Sequence, residues 1–372
     1  MIDLFMPIRS FLKFQNVYTD NNIFRLHYKL TVIILLVCTL LVTSKQFFGE
    51  PIHCISEGET INKDAINSYC WIYGAFTLEN QPAGRLLFVK AKHMLYPGVG
   101  TDTTGDAKHR RHSYYQWVSF ILLCQAAMFY TPHYLWKIWE GGKLKALVSD
   151  LANPLVTKNW GESRRAEMLS YLTYSNIHTH MKYALLYGFC EVLNFVNTVG
   201  QIFLLDLFLG GSFRNYGSAV ATFTQVPDLP TESQQPNPMD LYFPKLTKCS
   251  YRDFGPSGTP QLKDRLCVLP LNIINEKIFA VLWFWLIILA VLSALAIFFR
   301  IIIFTVPTVR TYLIMSRVRQ VDRYVVSKIT NHFGYGDWFV LHLLGKNMNP
   351  IAFKDLVLEL SKEIGNNKAY NV

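Results

Sequence analysis

Charge is missing from long stretches of this sequence. Between Arg111 and Lys137 lie 25 residues without Asp, Glu, Lys or Arg; 15 such residues separate Lys29 from Lys45, and 22 separate Lys277 from Arg300. From Tyr183 to Leu205 the single charge is Glu191. Soluble domains need charged surface at closer intervals, so this distribution excludes a string of them despite the 372 available residues. A paired acid and base and a Gly-rich phosphate loop are also missing, which argues against an enzyme. The histidines are scattered, and His109 with His112 is poor metal spacing, so no metal or cofactor is expected. The net charge of +10 has no basic patch with base-stacking aromatics beside it, which argues against nucleic acid as a partner.

What is present fits a membrane. Twenty-five residues make a helix of roughly 37 Å at ~1.5 Å per residue, longer than a ~30 Å hydrocarbon core. In the Arg111–Lys137 run aromatic residues gather at the two ends, where their rings favour the headgroup level, and Pro132 is expected to kink the helix. The 15-residue run is short for a span, so it must extend through His27–Tyr28 and Gln46–Phe48 with its lysines snorkelling. Val42-Thr43-Ser44 resembles a cleavage site, but 29 residues precede the apolar core, so the Met1 end is expected to stay on the mature protein.

Four spans with both termini on one side is the economical arrangement. Segments 1–29, 137–182 and 300–372 together carry an excess of ten basic over acidic residues, against one for 46–113 and 207–275. Positive residues stay inside, which makes both termini and the middle loop cytoplasmic. The expected fold is an all-α membrane protein, a four-transmembrane-helix bundle with small disulfide-bridged extracellular α/β loops and a helical cytoplasmic domain. Its expected parts are an amino-terminal helix (1–22), spans at 23–47, 112–136, 183–206 and 276–300, extracellular loops 48–111 and 207–275, a cytoplasmic loop 137–182 and a tail 301–372.

Cysteine is absent from every segment assigned to the cytoplasm. Cys54 and Cys70 fall in the first outward loop and Cys249 and Cys267 in the second, whereas Cys38, Cys124 and Cys190 lie in spans. Spacings of 15 and 17 residues match no compact zinc motif, so two structural disulfides are expected, with three pairings open.

Met1 to Asp20 has helical apolar spacing, consistent with an interfacial helix or with a lining folded into a pore mouth. Thr31, Thr39, Thr43 and Gln46 share about a third of the first helix's circumference, as helix packing or a wetted lumen would require. Tyr69-Cys70-Trp71-Ile72-Tyr73 is β-prone, and 101–113 is expected to be mobile. Glu191, nearly mid-depth in its span, reads first as a satisfied structural carboxylate and second as an ion-pathway group; Asp206 needs no special role. Leu144, Leu147, Leu151, Met168, Leu169 and Leu172, with the apolar faces around Trp338 and Phe353, predict a helical cytoplasmic layer.

Tyr114, Tyr115, Gln116, Trp117 and Val118 resemble the innexin signature. Agreement extends to the outward cysteine pairs, Pro132, Leu135-Trp136-Lys137-Ile138-Trp139-Glu140-Gly141-Gly142, Cys190-Glu191, Leu269-Pro270-Leu271-Asn272-Ile273, Asn275-Glu276-Lys277-Ile278, Trp283-Phe284-Trp285 and Gly336-Asp337-Trp338-Phe339. It covers about Asp20 to Pro350. The resemblance implies a subunit of an invertebrate gap-junction channel, or a viral relative (vinnexin), in the plasma membrane. It implies rings, typically octameric, formed with itself or with other innexins, whose hemichannels dock across the intercellular gap and pass ions and small metabolites. It also implies bridges of Cys54 with Cys267 and Cys70 with Cys249. The amino-terminal helix would line the pore with the first span, with Met1, Ile2, Asp3, Phe5, Arg9, Lys13, Thr31, Thr39 and Thr43 as candidate lining residues. An unpaired hemichannel and a four-span adhesion or scaffold protein without a pore are the alternatives. Membrane lipids are the remaining expected partner.

Overall fold

The structure is a computed structural model describing residues 17–55, 63–78, 98–99, 108–148, 151, 160–175, 180–225, 238–318 and 320–370. In chain order its main elements are α1 (Asn22–Phe48), β1 (His53–Cys54), α2 (Lys63–Tyr73), β2 (Ala75–Leu78), β3 (His109–His112) and α3 (Val118–Glu140). Then come α4 (Lys143–Val148), α5 (Glu162–Ser170), α6 (Met181–Phe208), α7 (Phe213–Gln225), α8 (Pro238–Tyr242), β4 (Leu246–Phe254) and β5 (Pro260–Val268). The chain finishes with α9 (Pro270–Thr305), α10 (Pro307–Met315), α11 (Arg323–His332), α12 (Tyr335–Asn347) and α13 (Pro350–Tyr370).

Three helices, α1, α6 and α9, are long and apolar enough to cross a membrane. The fourth expected span corresponds to α3, whose 23 residues reach roughly 34 Å at ~1.5 Å each. Gln125, Thr131 and His133 make α3 less apolar than the other three. Helix α9 runs 36 residues, well beyond the 276–300 expected, because the turn at Pro270-Leu271-Asn272 and the apolar Ile301–Thr305 both extend its helical register.

Residues cluster into two compact units, one of 1–33, 127–198 and 289–372, the other of 34–126 and 199–288. Among the described residues, the regular elements of the first are all helices. Its core joins Trp136, Leu144, Leu151, Met168 and Leu172 to Trp338, Phe339, Leu344, Phe353, Leu356 and Leu360. Local chemistry sets its element ends. Glu140 closes α3 and starts α4 together, its two carboxylate oxygens accepting from the backbone N–H of Gly142 (2.7 Å) and Leu144 (2.8 Å). Gly141 and Gly142 supply the left-handed φ of +61° and +77° that the reversal requires. Pro307 opens α10 where its missing N–H costs nothing, and the Asp322 side chain caps α11.

The second unit contains an antiparallel sheet ordered β1-β5-β4-β2-β3. Strands β4 and β5 pair along their whole length, from Leu246 opposite Val268 to Phe254 opposite Pro260. β1 covers β5 only at Cys267–Val268, and β2 pairs β4 only at Lys248. Two expectations are corrected here. Residues 69–73 are helical, the end of α2: Asp64 favours the helix N-terminus, and Ile66 and Cys70, four apart, bury one face. Residues 109–112 form strand β3, held against Ala75–Leu78.

Candidate functional site

In the sheet-bearing unit, Cys54 and Cys267 stand directly opposite each other on β1 and β5 and are bonded, with Cα atoms 4.0 Å apart. Cys70 on α2 is bonded to Cys249 on β4, their Cα atoms 5.8 Å apart. The sulfurs of Cys54, Cys70 and Cys267 lie within 4.8 Å of one another, so the two bridges form one buried clasp. This is also where three metal-type ligands converge among the described residues, but sulfurs shared in disulfides offer no thiolate.

The pentapeptide 114–118 fastens that clasp to α3. Tyr115 is fully buried with its ring 4.7 Å from Trp71 of α2, and the Gln116 side-chain amide donates to the Trp71 carbonyl. Tyr114 meets Phe243 edge-on at 5.8 Å, Val118 is buried, and Trp117 is 60% exposed. His112, on the strand leading in, lies 2.7 Å from the Thr77 hydroxyl. Burial, and then the Arg110 cation, push its pKa down to about 4, so the ring is neutral near pH 7.

The motif at the start of α9 has a similar fastening role. Buried Glu276 is ion-paired with Lys245 at 3.1 Å, while Lys245 also meets Asp240 at 3.0 Å. The Asn272 side chain donates to the Pro244 carbonyl (2.7 Å), and the Tyr216 hydroxyl to the Glu276 carbonyl (2.8 Å). Asp206 does have a specific role: it accepts from the Arg214 backbone (3.1 Å) and guanidinium (2.7 Å), capping the first turn of α7.

The helical unit contains a polar knot at the start of α1. Asn21 caps the helix by accepting from the Phe24 N–H (2.6 Å), and its amide donates to Glu191 (2.8 Å). Glu191 in turn takes two bonds from Arg300, at 2.7 and 2.8 Å. The Tyr187 hydroxyl accepts from the Asn21 N–H, and the Arg300 guanidinium lies over the Tyr187 and Phe339 rings. Glu191 is thus a paired structural carboxylate. The Asn347 side chain bonds both the N–H and carbonyl of Tyr18, and Lys346 donates to the Asp20 carbonyl. Arg25 pairs with Asp20 at 3.1 Å and sits 4.0 Å above the Tyr18 ring. The chain is therefore held firmly where the amino-terminal segment meets α1.

Just beyond the knot, Leu26–Thr31 is π-helical, a wider winding that often marks functional positions in helices. It brings His27 to the Ser293 hydroxyl (2.7 Å), beside a small cleft lined by Asn21, Phe24, Glu191 and Asn194. Of the candidate lining residues, Thr31 is buried and its hydroxyl is bonded to the Leu26 carbonyl. Thr39 and Thr43 are half-buried, with Thr39 bonded to the Leu35 carbonyl. Met1, Ile2, Asp3, Phe5, Arg9 and Lys13 lie outside the described residues. Pro132 is buried within an unbroken α3. Arg300, read from the sequence only as the end of a span, is the functional partner that reading misses; the signal was an acid and a base in separate apolar runs.

Comparison with known proteins agrees in extent with the motifs. A family model described as innexin matches residues 20–364. Innexin inx2 of Schistocerca americana is 45% identical over 364 residues, covering 98% of each chain. Innexin inx2 of Drosophila melanogaster is 44% identical over 365 residues, 98% of this chain and 96% of the relative. Innexin shaking-B of Drosophila melanogaster is 37% identical over 374 residues, covering 100% of this chain and 97% of the relative.

Proposed function

This chain belongs to the innexin family, the invertebrate gap-junction channel proteins, and from that premise we propose that it is a subunit of an oligomeric hemichannel that docks with one in a neighbouring cell. Innexins are channels, not enzymes. The bundle has four spans, α1, α3, α6 and α9, with both termini cytoplasmic and the disulfide-clasped sheet outside, as the excess of basic residues supports. Subunits ring a pore in the plasma membrane, eight of one kind or mixed with other innexins, with lipid around them.

The observation that carries the docking step is the β4–β5 hairpin. Past Lys248 and Cys267 both of its edges lack a neighbouring strand among the described residues, and it presents Phe254 and Leu262, 73% and 67% exposed. A ribbon with unpaired edges that exposes two large apolar side chains is disfavoured on a surface that stays in water and suits one that meets another protein.

Ions and small metabolites cross without catalysis. Thr39 and Thr43 and the segment carrying Met1, Ile2, Asp3, Phe5, Arg9 and Lys13 line the path, and lining charge repeated once per subunit sets a weak selectivity. Neutralising Arg9 and Lys13 together should shift permeability toward cations; unchanged anion-to-cation permeability removes those residues from the lining.

Paired-cell recording with dye transfer tests the whole reading. Coupling is expected from the parent and should vanish when Cys54, Cys70, Cys249 and Cys267 become Ser while the protein still reaches the surface. No coupling from a surface-delivered parent, tested alone and with another innexin, would overturn docking.

A further inference from the structure

The end of α12 grips the backbone of the amino-terminal segment. Asn347, the last residue of that helix, is 7% exposed, and both hydrogens and the oxygen of its side-chain amide are engaged. Its Nδ2 donates to the Leu343 carbonyl one turn back (2.8 Å) and to the Tyr18 carbonyl (2.8 Å), while its Oδ1 accepts from the Tyr18 N–H (2.5 Å). The bond to Leu343 fixes the plane of the amide. Its free edge then meets Tyr18 as an opposite residue does in an antiparallel ladder, exchanging both bonds. Lys346, beside it, donates to the Asp20 carbonyl at 2.5 Å. None of these contacts depends on the side chain at position 18 or 20; what they fix is the path of the chain.

The grip is itself anchored. Two residues beyond Asn347, the Asn349 N–H donates to the Leu151 carbonyl (3.0 Å), and the Asn349 side chain caps α13 by accepting from the Ile351 N–H (2.9 Å). Leu151, Leu344 and Phe353 share one core, against which Val17 packs from the amino-terminal side. At the other end Asn21 is bound to Phe24, Glu191 and Tyr187. The stretch from Tyr18 to Asn21 has no regular secondary structure, so its own backbone bonds do not set its course. That course is set by Asn347 and Lys346 on one side and by the start of α1 on the other.

We propose that Asn347, supported by Lys346, is the positioning residue of the amino-terminal segment, so that the carboxy-terminal helices set where that segment enters the pore mouth. The proposal rests on the reading that the segment lines the path. It assigns a specific demand to position 347: a short side chain presenting one donor and one acceptor in a single plane. Leucine has a similar volume and makes neither bond. It also gives the carboxy-terminal helices a mechanical role, because any displacement of the end of α12 carries Tyr18 with it.

Hydrogen–deuterium exchange of the full-length protein in detergent reads the Tyr18 amide directly. Asn347→Leu should speed its exchange about five- to ten-fold, the loss of one hydrogen bond of ordinary strength. Where the leucine variant does not fold, Asn347→Ser carries the same expectation, since a hydroxyl cannot make both bonds. Thr330→Val is the control: it removes a buried hydroxyl pair with Thr311 (2.8 Å) in the same unit, and should lower the unfolding temperature while leaving the Tyr18 amide unchanged. In paired cells Asn347→Leu should move the anion-to-cation permeability toward its free-solution value, because the charges of the segment are no longer held in one place around the lumen, and Thr330→Val should not. Unchanged exchange at Tyr18 in Asn347→Leu, or equal acceleration in Thr330→Val, overturns the positioning role. Faster exchange with unaltered permeability overturns its reach to the pore mouth. Exchange is read without any current, so a parent that passes none counts against the channel reading, and the Tyr18 amide still decides whether Asn347 holds the segment.

Discussion

Glu191 and Arg300 show what a charge inside an apolar helix needs. Desolvating both is expensive, and their two short bonds, with Asn21 and the Tyr187 ring as further partners, offset that only while all are present. Glu191→Gln leaves Arg300 without its counter-charge and should destabilise the protein by about 3–5 kcal/mol, read as a lower unfolding temperature in detergent. Replacing both residues by Leu should recover part of that loss. His112 supports a pH-dependent prediction. Its folded pKa of about 4 lies below the ordinary 6.5, so the unfolded chain binds a proton that the fold rejects. The resulting stabilisation is present above pH 6.5 and lost as pH falls toward 4, roughly 3 kcal/mol in all. His112→Asn, compared with the parent by chemical unfolding across that range, should flatten this part of the profile.

Two glycines control how helices meet. A Cβ at Gly336 would lie 2.4 Å from the backbone at His180–Met181, and one at Gly217 would lie 2.0 Å from the Trp283 ring. Backbone cannot step aside as a side chain can. Gly336→Ala should therefore cost more than Gly217→Ala, at or above the ~1–3 kcal/mol typical of overpacking, measured as the difference in unfolding temperature. At this scale the sequence is legible only in part. The apolar helices can be read because absence of charge is a local property. Tyr69–Tyr73 is read as strand because its residues favour strands, yet the burial of Ile66 and Cys70 on one face decides for helix. His109–His112 looks like loop because the strand that pairs it lies more than 30 residues away. No residue pattern announces the π-helical turn at Leu26–Thr31.

For the molecule as a whole, charge asymmetry predicts topology. An Asn-X-Thr acceptor introduced within 101–107 should be glycosylated in cells, and one introduced within 152–159 should not; the reverse result would invert the proposed orientation. The polar knot could not be read in advance, since Asn21 and Glu191 are 170 residues apart and Glu191 and Arg300 are 109 apart. Cysteine placement pointed to bridges but left three pairings open, and only the resemblance chose among them. Those bridges also impose a schedule. Their partners are separated by 213 and 179 residues, so at ~5–20 residues per second Cys54 and Cys70 wait roughly 10 to 40 s for Cys267 and Cys249 to be synthesised. On the proposed topology that wait is spent in the secretory lumen, as two thiols 16 residues apart that can wrongly join each other. Yield of finished subunit then depends on the cell's capacity to undo that premature bond before the last span is inserted.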